Sequence, residues 1–181
     1  MAVTINGSAG VTTNSGAVYN GISAGTAVAS TSGTSIDFTS IPSWVKRITV
    51  MFNGVSTNAA GSSLVQVQIG AGSITSSGYL SYTGLAGATN ATSQGTSTTG
   101  FAIDAGSPNT SWVRYGTLML TNITGNTWIA SVCLGLYNGT NYYAVGGGGS
   151  IALSGTLDRV RITTVNGTDT FDAGTINILY E

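Results

Sequence analysis

The chain has 181 residues, of which only five are basic and six acidic, and it contains no histidine. An ordinary soluble domain is charged at about a quarter of its positions. Phosphate-driven nucleic-acid binding and most acid–base or nucleophilic catalysis therefore lack the side chains they need. A hydrophobic fraction of 41% with a net charge of −1 also excludes disorder.

Residues 1 to 25 are rich in Gly, Ser, Thr and Asn, with Val3, Ile5, Val11, Val18 and Ile22 as sparse apolar positions. Such a segment cannot bury enough surface alone. It is predicted to be an extended attachment or oligomerisation segment laid along a partner, ahead of one domain at 26–181. The opening Met1 to Gly7 has neither a basic nor an apolar signal region, so synthesis in a cytoplasm without a signal peptide is expected. No apolar run approaches the roughly 18 residues that span a bilayer, and no membrane insertion is expected.

From there the hydrophobic period is two. Ile48, Val50 and Phe52 share one face of a strand that Asn53-Gly54 is expected to close with a turn. Val65, Val67 and Ile69 point inward, with Gln66 and Gln68 outward. Residues 83 to 100 carry little charge and many small side chains, and are expected to form a long loop. Trp128, Val132, Leu134 and Leu136 face the core, leaving Ile129, Ser131 and Cys133 on the other side. Gly146 to Gly149 has no following Lys or helix and is no phosphate cradle. It reads as a flexible connection or a close backbone approach between subunits. Leu157 to Val165 and Thr175 to Tyr180 alternate around Asn166-Gly167. Turn signals recur about every 8 to 15 residues, which predicts an all-β fold, a jelly-roll-like antiparallel β-sandwich of roughly eight to ten strands. Cys133 stands alone, so no intrachain disulfide supports the fold. The match of Ser43-Trp44-Val45-Lys46 to Ser111-Trp112-Val113-Arg114 is shared strand grammar and not a duplication.

The run Ile36 to Asn58, which contains Ile41-Pro42-Ser43-Trp44-Val45-Lys46-Arg47-Ile48-Thr49-Val50, resembles the C-terminal domain of many tailed-bacteriophage tail-fibre proteins. So do Leu157-Asp158-Arg159-Val160-Arg161-Ile162-Thr163 with its continuation to Gly174, and the ending Ile176-Asn177-Ile178-Leu179-Tyr180-Glu181. The opening Val3 to Thr12 is loosely similar to the start of such fibres. The resemblance covers residues 30 to 181, and implies a phage virion structural protein, located in the virion, that forms a homotrimer. Its implied partners are its own copies, other virion proteins of the baseplate, tail or capsid, and a host surface glycan or protein. Fibres of this kind carry a shaft before this domain. Little of one is present here, which leaves a short tail fibre, a baseplate appendage and a capsid decoration or cement protein open.

Candidate sites follow from the same residues. Adjacent tyrosines on a strand face opposite sides, so one of Tyr142 and Tyr143 is exposed beside Asn141, a combination suited to stacking and hydrogen bonding with a sugar. Tyr79 and Tyr82 form a second predicted rim. Asp169 and Asp172 with Asn166 have oxygen ligands for calcium, but Asn166-Gly167-Thr168-Asp169 reads better as a hairpin turn. No metal, cofactor or catalytic residue is assigned. A polysaccharide-degrading tail enzyme would need two carboxyls across a sugar cleft. Neither the Asp169/Asp172 pair nor Asp104 and Asp158 has that spacing, so no enzyme is expected. Lys46, Arg47, Arg114, Arg159 and Arg161 are expected in structural ion pairs at strand ends.

Overall fold

The apolar–polar alternation resolves into two antiparallel sheets that share one core. A computed structural model describes residues 3–6, 10–13, 18–19, 21–58, 63–87 and 92–181. In chain order the strands are β1 (Val3–Asn6), β2 (Gly10–Thr13), β3 (Val18–Tyr19), β4 (Ser23–Ala24), β5 (Val28–Ala29), β6 (Ser35–Thr39), β7 (Arg47–Thr57), β8 (Val65–Ala71) and β9 (Ser73–Ile74). They continue with β10 (Leu80–Gly87), β11 (Thr92–Ser97), β12 (Phe101–Ala102), β13 (Val113–Thr124), β14 (Thr127–Tyr137), β15 (Tyr142–Ala152), β16 (Arg159–Thr164) and β17 (Phe171–Tyr180).

The larger sheet has nine strands, ordered β11-β10-β15-β14-β13-β7-β17-β4 with β5 also on β17. The smaller has five, ordered β12-β8-β16-β6 with β9 on β8. Successive strands β6, β7 and β8 change sheet each time, and β16 and β17 return beside β8 and β7, which is the jelly-roll-like element of this sandwich. The meander β13-β14-β15 stays within the larger sheet. Among the described residues no helix is long and apolar enough to cross a membrane.

Period-2 patterning places the core between the sheets. Ile48, Val50 and Phe52 of β7, Leu118 and Leu120 of β13, and Ile176 and Ile178 of β17 are buried against Val65, Val67 and Ile69 of β8 and Val160 and Ile162 of β16. Each such side chain stabilises the fold by about 1.5–3 kcal/mol relative to exposure. On β14, Trp128, Val132, Leu134 and Leu136 face inward while Ile129, Ser131 and Cys133 are exposed, as the alternation predicts.

Several local expectations are corrected. Asn53-Gly54 does not end its strand, because β7 runs on to Thr57. Gly54 has φ 68°, and the register against β13 slips there, so the pair forms a bulge. The register against β17 slips as well, and a Cβ on Gly174 would lie 2.5 Å from the Gly54 carbonyl oxygen. Two glycines thus let two bulged strands cross closely.

Residues 83 to 100 are not a long loop. Residues 88–91 lie outside the described residues, and the rest fall largely in β10 and β11, registered from Ser81↔Ser97 to Ala86↔Thr92. Gly146 to Gly149 is no flexible connection but the interior of β15, paired with β10 on one side and β14 on the other. The close approach is within the chain, since a Cβ on Gly147 would stand 2.3 Å from the Tyr82 carbonyl oxygen.

Gln66 and Gln68 are not outward to solvent but 1% and 7% exposed. They do leave the apolar core, but the segment after β11 folds over them. Gln66 Oε1 accepts from Ser97 Oγ at 2.8 Å and Thr99 Oγ1 at 3.0 Å, and Gln68 Nε2 donates to the Thr99 carbonyl at 2.8 Å.

At the N-terminus, among the described residues, β1, β2 and β3 form a three-stranded sheet of their own. The edge of the sandwich begins within the segment set off as 1–25: Ser23 and Ala24 pair with Tyr180 and Leu179, and Gly25 N–H donates to the Ile178 carbonyl at 2.8 Å.

Candidate functional site

The β14–β15 hairpin presents the most exposed aromatic surface at one end of the larger sheet. Its turn is built by Asn138, whose Oδ1 accepts from the backbone N–H of Thr140 at 3.1 Å and of Asn141 at 2.7 Å. Gly139 takes φ 91°, a value that favours glycine, and its carbonyl accepts from the Tyr137 hydroxyl at 2.7 Å. This turn sets the register Tyr137↔Tyr142. The two rings stack with centroids 4.7 Å apart and planes 28° from parallel. Tyr142 is 74% exposed and Tyr137 half-buried, so the stack opens the Tyr142 ring to solvent.

Tyr143 points the other way and is half-buried. Its ring stacks on Trp112 at 6.3 Å, its hydroxyl accepts from Asn138 Nδ2 at 3.1 Å, and Gly87 leaves room for it: a Cβ there would sit 2.5 Å from the ring. Tyr143 fixes the hairpin, and Tyr142 is the ring offered outward. Asn141 contributes the turn backbone beside them.

The second expected rim separates into two unrelated residues. Tyr82 is 56% exposed, and its hydroxyl donates to Gln94 Oε1 at 3.0 Å. It pairs with Gly148, six residues along β15 from Tyr142 and so about 20 Å away. Tyr79 is corrected from a surface contact to a core residue, 1% exposed and packed edge-on against Phe101 at 4.9 Å. Its hydroxyl accepts from Ile69 N–H at 2.8 Å and lies 3.1 Å and 3.0 Å from the Ile69 and Thr75 carbonyls. Burial pushes this phenol up to about 12.

Tyr137 and Tyr115 were not singled out from the sequence. Tyr115, half exposed, is a diagonal neighbour of Tyr137 on the same face, because Val113 pairs with Tyr137 and Tyr115 with Gly135. The signal was present: the inward set Trp128 to Leu136 makes Tyr137 outward, and a four-residue turn makes it face Tyr142.

Charge is absent from the middle of this face. The row Tyr82, Gly148, Ser131, Met119, Thr49 and Leu179, and the next row Gly84, Gly146, Cys133, Thr117, Met51 and Asn177, contain no Asp, Glu, Lys or Arg.

Among the described residues the four arginines pair with acids, whereas Lys46, expected in an ion pair, instead donates to Asn122 Oδ1 at 3.4 Å. Arg47 binds Glu181, Arg161 binds Asp37 in a two-point contact at 2.7 Å each, and Arg159 binds Asp158 at 2.7 and 3.0 Å. The Arg159 hydrogen bond holds the Asp158 carboxyl below the ordinary range. Arg114 and Asp104 form the remaining pair inside the sandwich. Near Asp169, Asn166 Oδ1 accepts from Thr168 N–H at 3.0 Å and Asp169 N–H at 3.2 Å, closing the hairpin turn, while Asp172 accepts from Ser56.

No protein-family model, curated protein or solved structure matches this chain.

Proposed function

We propose that the chain is a virion structural protein of a tailed bacteriophage, a short tail fibre or fibre tip whose Tyr137–Tyr142 platform contacts the host surface. The sequence resemblance supplies the class. The observation that carries the contact is the stacked tyrosine pair, with Tyr142 open to solvent, on a face whose middle rows carry no charge. Aromatic rings present large, rigid, amphipathic area at low conformational cost. A surface with few charges has little long-range electrostatics for salt to screen, so recognition rests on stacking and on neutral hydrogen bonds. Assembly as a homotrimer belongs to the same proposal, as does attachment to other virion proteins through the N-terminal segment.

A capsid decoration role is the second reading. The broad outward rows of Gly, Ser and Thr on the larger sheet favour it, since a clamp on a shell needs a wide flat footprint. Locating the chain in virion density separates the two. Density at the tail or baseplate supports the fibre, and density spread over the capsid replaces it with the clamp.

A further inference from the structure

We propose that the outer face of the smaller sheet holds a binding groove for a neutral saccharide, formed around Gln66 and Gln68. The register places two polar rows side by side there: Gln66–Thr163–Ser35 and Gln68–Arg161–Asp37. All of these but Asp37, together with the exposed Ser76, line a groove of about 300 Å³, at the small end of the range of small-molecule sites and sized for one or two sugar rings.

Two features make this a built site. Gln66 and Gln68 are both more than nine-tenths buried, yet each uses only one end of its amide within the protein. Among the described residues, Gln66 Nε2 has no acceptor and Gln68 Oε1 has no donor. Neither amide end is among the polar atoms sealed from solvent without a partner, and both side chains line the groove. The bonds to Ser97 and Thr99 fix the orientation of both amides. The result is one oriented donor beside one oriented acceptor, the pair that a vicinal diol satisfies, because each hydroxyl both donates and accepts.

Neutrality follows from Arg161. Its guanidinium is already engaged by both oxygens of Asp37, so the groove has no free positive charge for a carboxylate or phosphate. The groove lies on the opposite face of the sandwich from Tyr142, and it stands or falls independently of the fibre reading.

The test is nuclear magnetic resonance of the nitrogen-labelled full chain, following the Gln66 and Gln68 side-chain amides. The probes are methyl glucopyranoside, methyl mannopyranoside, methyl galactopyranoside and maltose, with glucuronate as the anionic control. At least one neutral probe should give saturable shifts with a Kd on the order of 1 mM, and glucuronate should bind more weakly. Gln68→Met should weaken binding about tenfold, the loss of one neutral hydrogen bond. Ser76→Trp, at the exposed rim and outside the amide brace, should abolish binding with the backbone spectrum retained, and it carries the test if Gln68→Met does not fold. No saturable shift by about 100 mM of any neutral probe, shifts that persist in Ser76→Trp, or tighter binding of glucuronate would each overturn the proposal.

Discussion

Arg114 Nε donates to Asp104 Oδ2 at 2.7 Å, and both side chains are 0% exposed. The pair ties the two sheets together, because Arg114 lies on β13 of the larger sheet while Asp104 Oδ1 accepts from the backbone N–H of Val65 on β8 of the smaller one. Thr83 on β10 adds a bond from its hydroxyl to the Asp104 carbonyl at 2.7 Å. Removing one partner strands a charge in the interior, so Arg114→Leu should destabilise the fold by about 3–5 kcal/mol in urea unfolding. The double change Arg114→Leu with Asp104→Leu should recover much of that loss. Equal losses in the single and double variants would show that the pair does not act as a unit.

The same pair gives a pH dependence of known sign. Burial raises the Asp104 carboxyl above its ordinary value of 3.8, against the pull of Arg114. A folded-state value above the unfolded one means that the group's favourable contribution is full below the unfolded value and is lost as pH rises through the folded one. In Arg114→Leu the counter-pull is gone, so stability of that variant should fall more steeply than wild type between pH 4 and pH 7, on the order of 1 kcal/mol per pH unit. Parallel stability–pH profiles would contradict this.

Facing and burial can be tested separately on one molecule. Val50→Asp puts an unpaired carboxylate in the core and should abolish folding, at a cost of several kcal/mol. Gln66→Asp should also be severe, because it shortens the side chain that binds Ser97 and Thr99 and buries a charge in its place. Ser131→Asp, on the exposed face of the larger sheet, should change stability by no more than about 0.5 kcal/mol. Circular dichroism melts rank the three, and a mild Gln66→Asp would remove the brace from the account.

Two glycines of β15 make a matched pair. A Cβ on Gly147 meets the Tyr82 carbonyl oxygen at 2.3 Å and Thr83 Cα at 2.7 Å, while a Cβ on Gly146 finds its nearest neighbour at 4.0 Å. Gly147→Ala should therefore lower stability by about 2 kcal/mol or more, and Gly146→Ala should be near neutral. Thermal melts of the two variants that coincide would show that β10 and β15 do not approach as closely as this.

Strand alternation made much of the fold legible in the sequence, because period 2 is a direct consequence of the pleat. It placed Val50, Val67 and Val132 correctly. It failed where a third element covers an outward face: nothing in Val65-Gln66-Val67-Gln68 says that Ser97 to Thr99 will fold over those amides. It failed also at Asn53-Gly54, since a positive-φ glycine serves a turn and a bulge equally well, and only the partner strand decides. Gly-rich composition was misread as loop at 83 to 100 and at 146 to 149, where small residues instead permit close strand packing. At the site, Tyr142 was legible from the hairpin, but its partner Tyr137 required the register across the turn. Tyr79 was misplaced because burial of a tyrosine depends on a distant acceptor for its hydroxyl, here the β8 backbone.

The most direct measurement is adsorption of purified protein to host cells, comparing wild type with Tyr142→Ala and Tyr143→Ala across salt. Tyr142→Ala should weaken adsorption about tenfold and leave the melting temperature within a few degrees, because its ring is exposed and the Tyr137 ring it stacks on is also held by its bond to the Gly139 carbonyl. Tyr143→Ala should lower stability by about 1–3 kcal/mol, because its ring packs on Trp112 and over Gly87. Wild-type adsorption should change little between roughly 20 and 150 mM salt. Wild-type adsorption retained in full by Tyr142→Ala would contradict the account. So would failure to adsorb to any host envelope fraction, joined with capsids that burst on heating once the protein is removed.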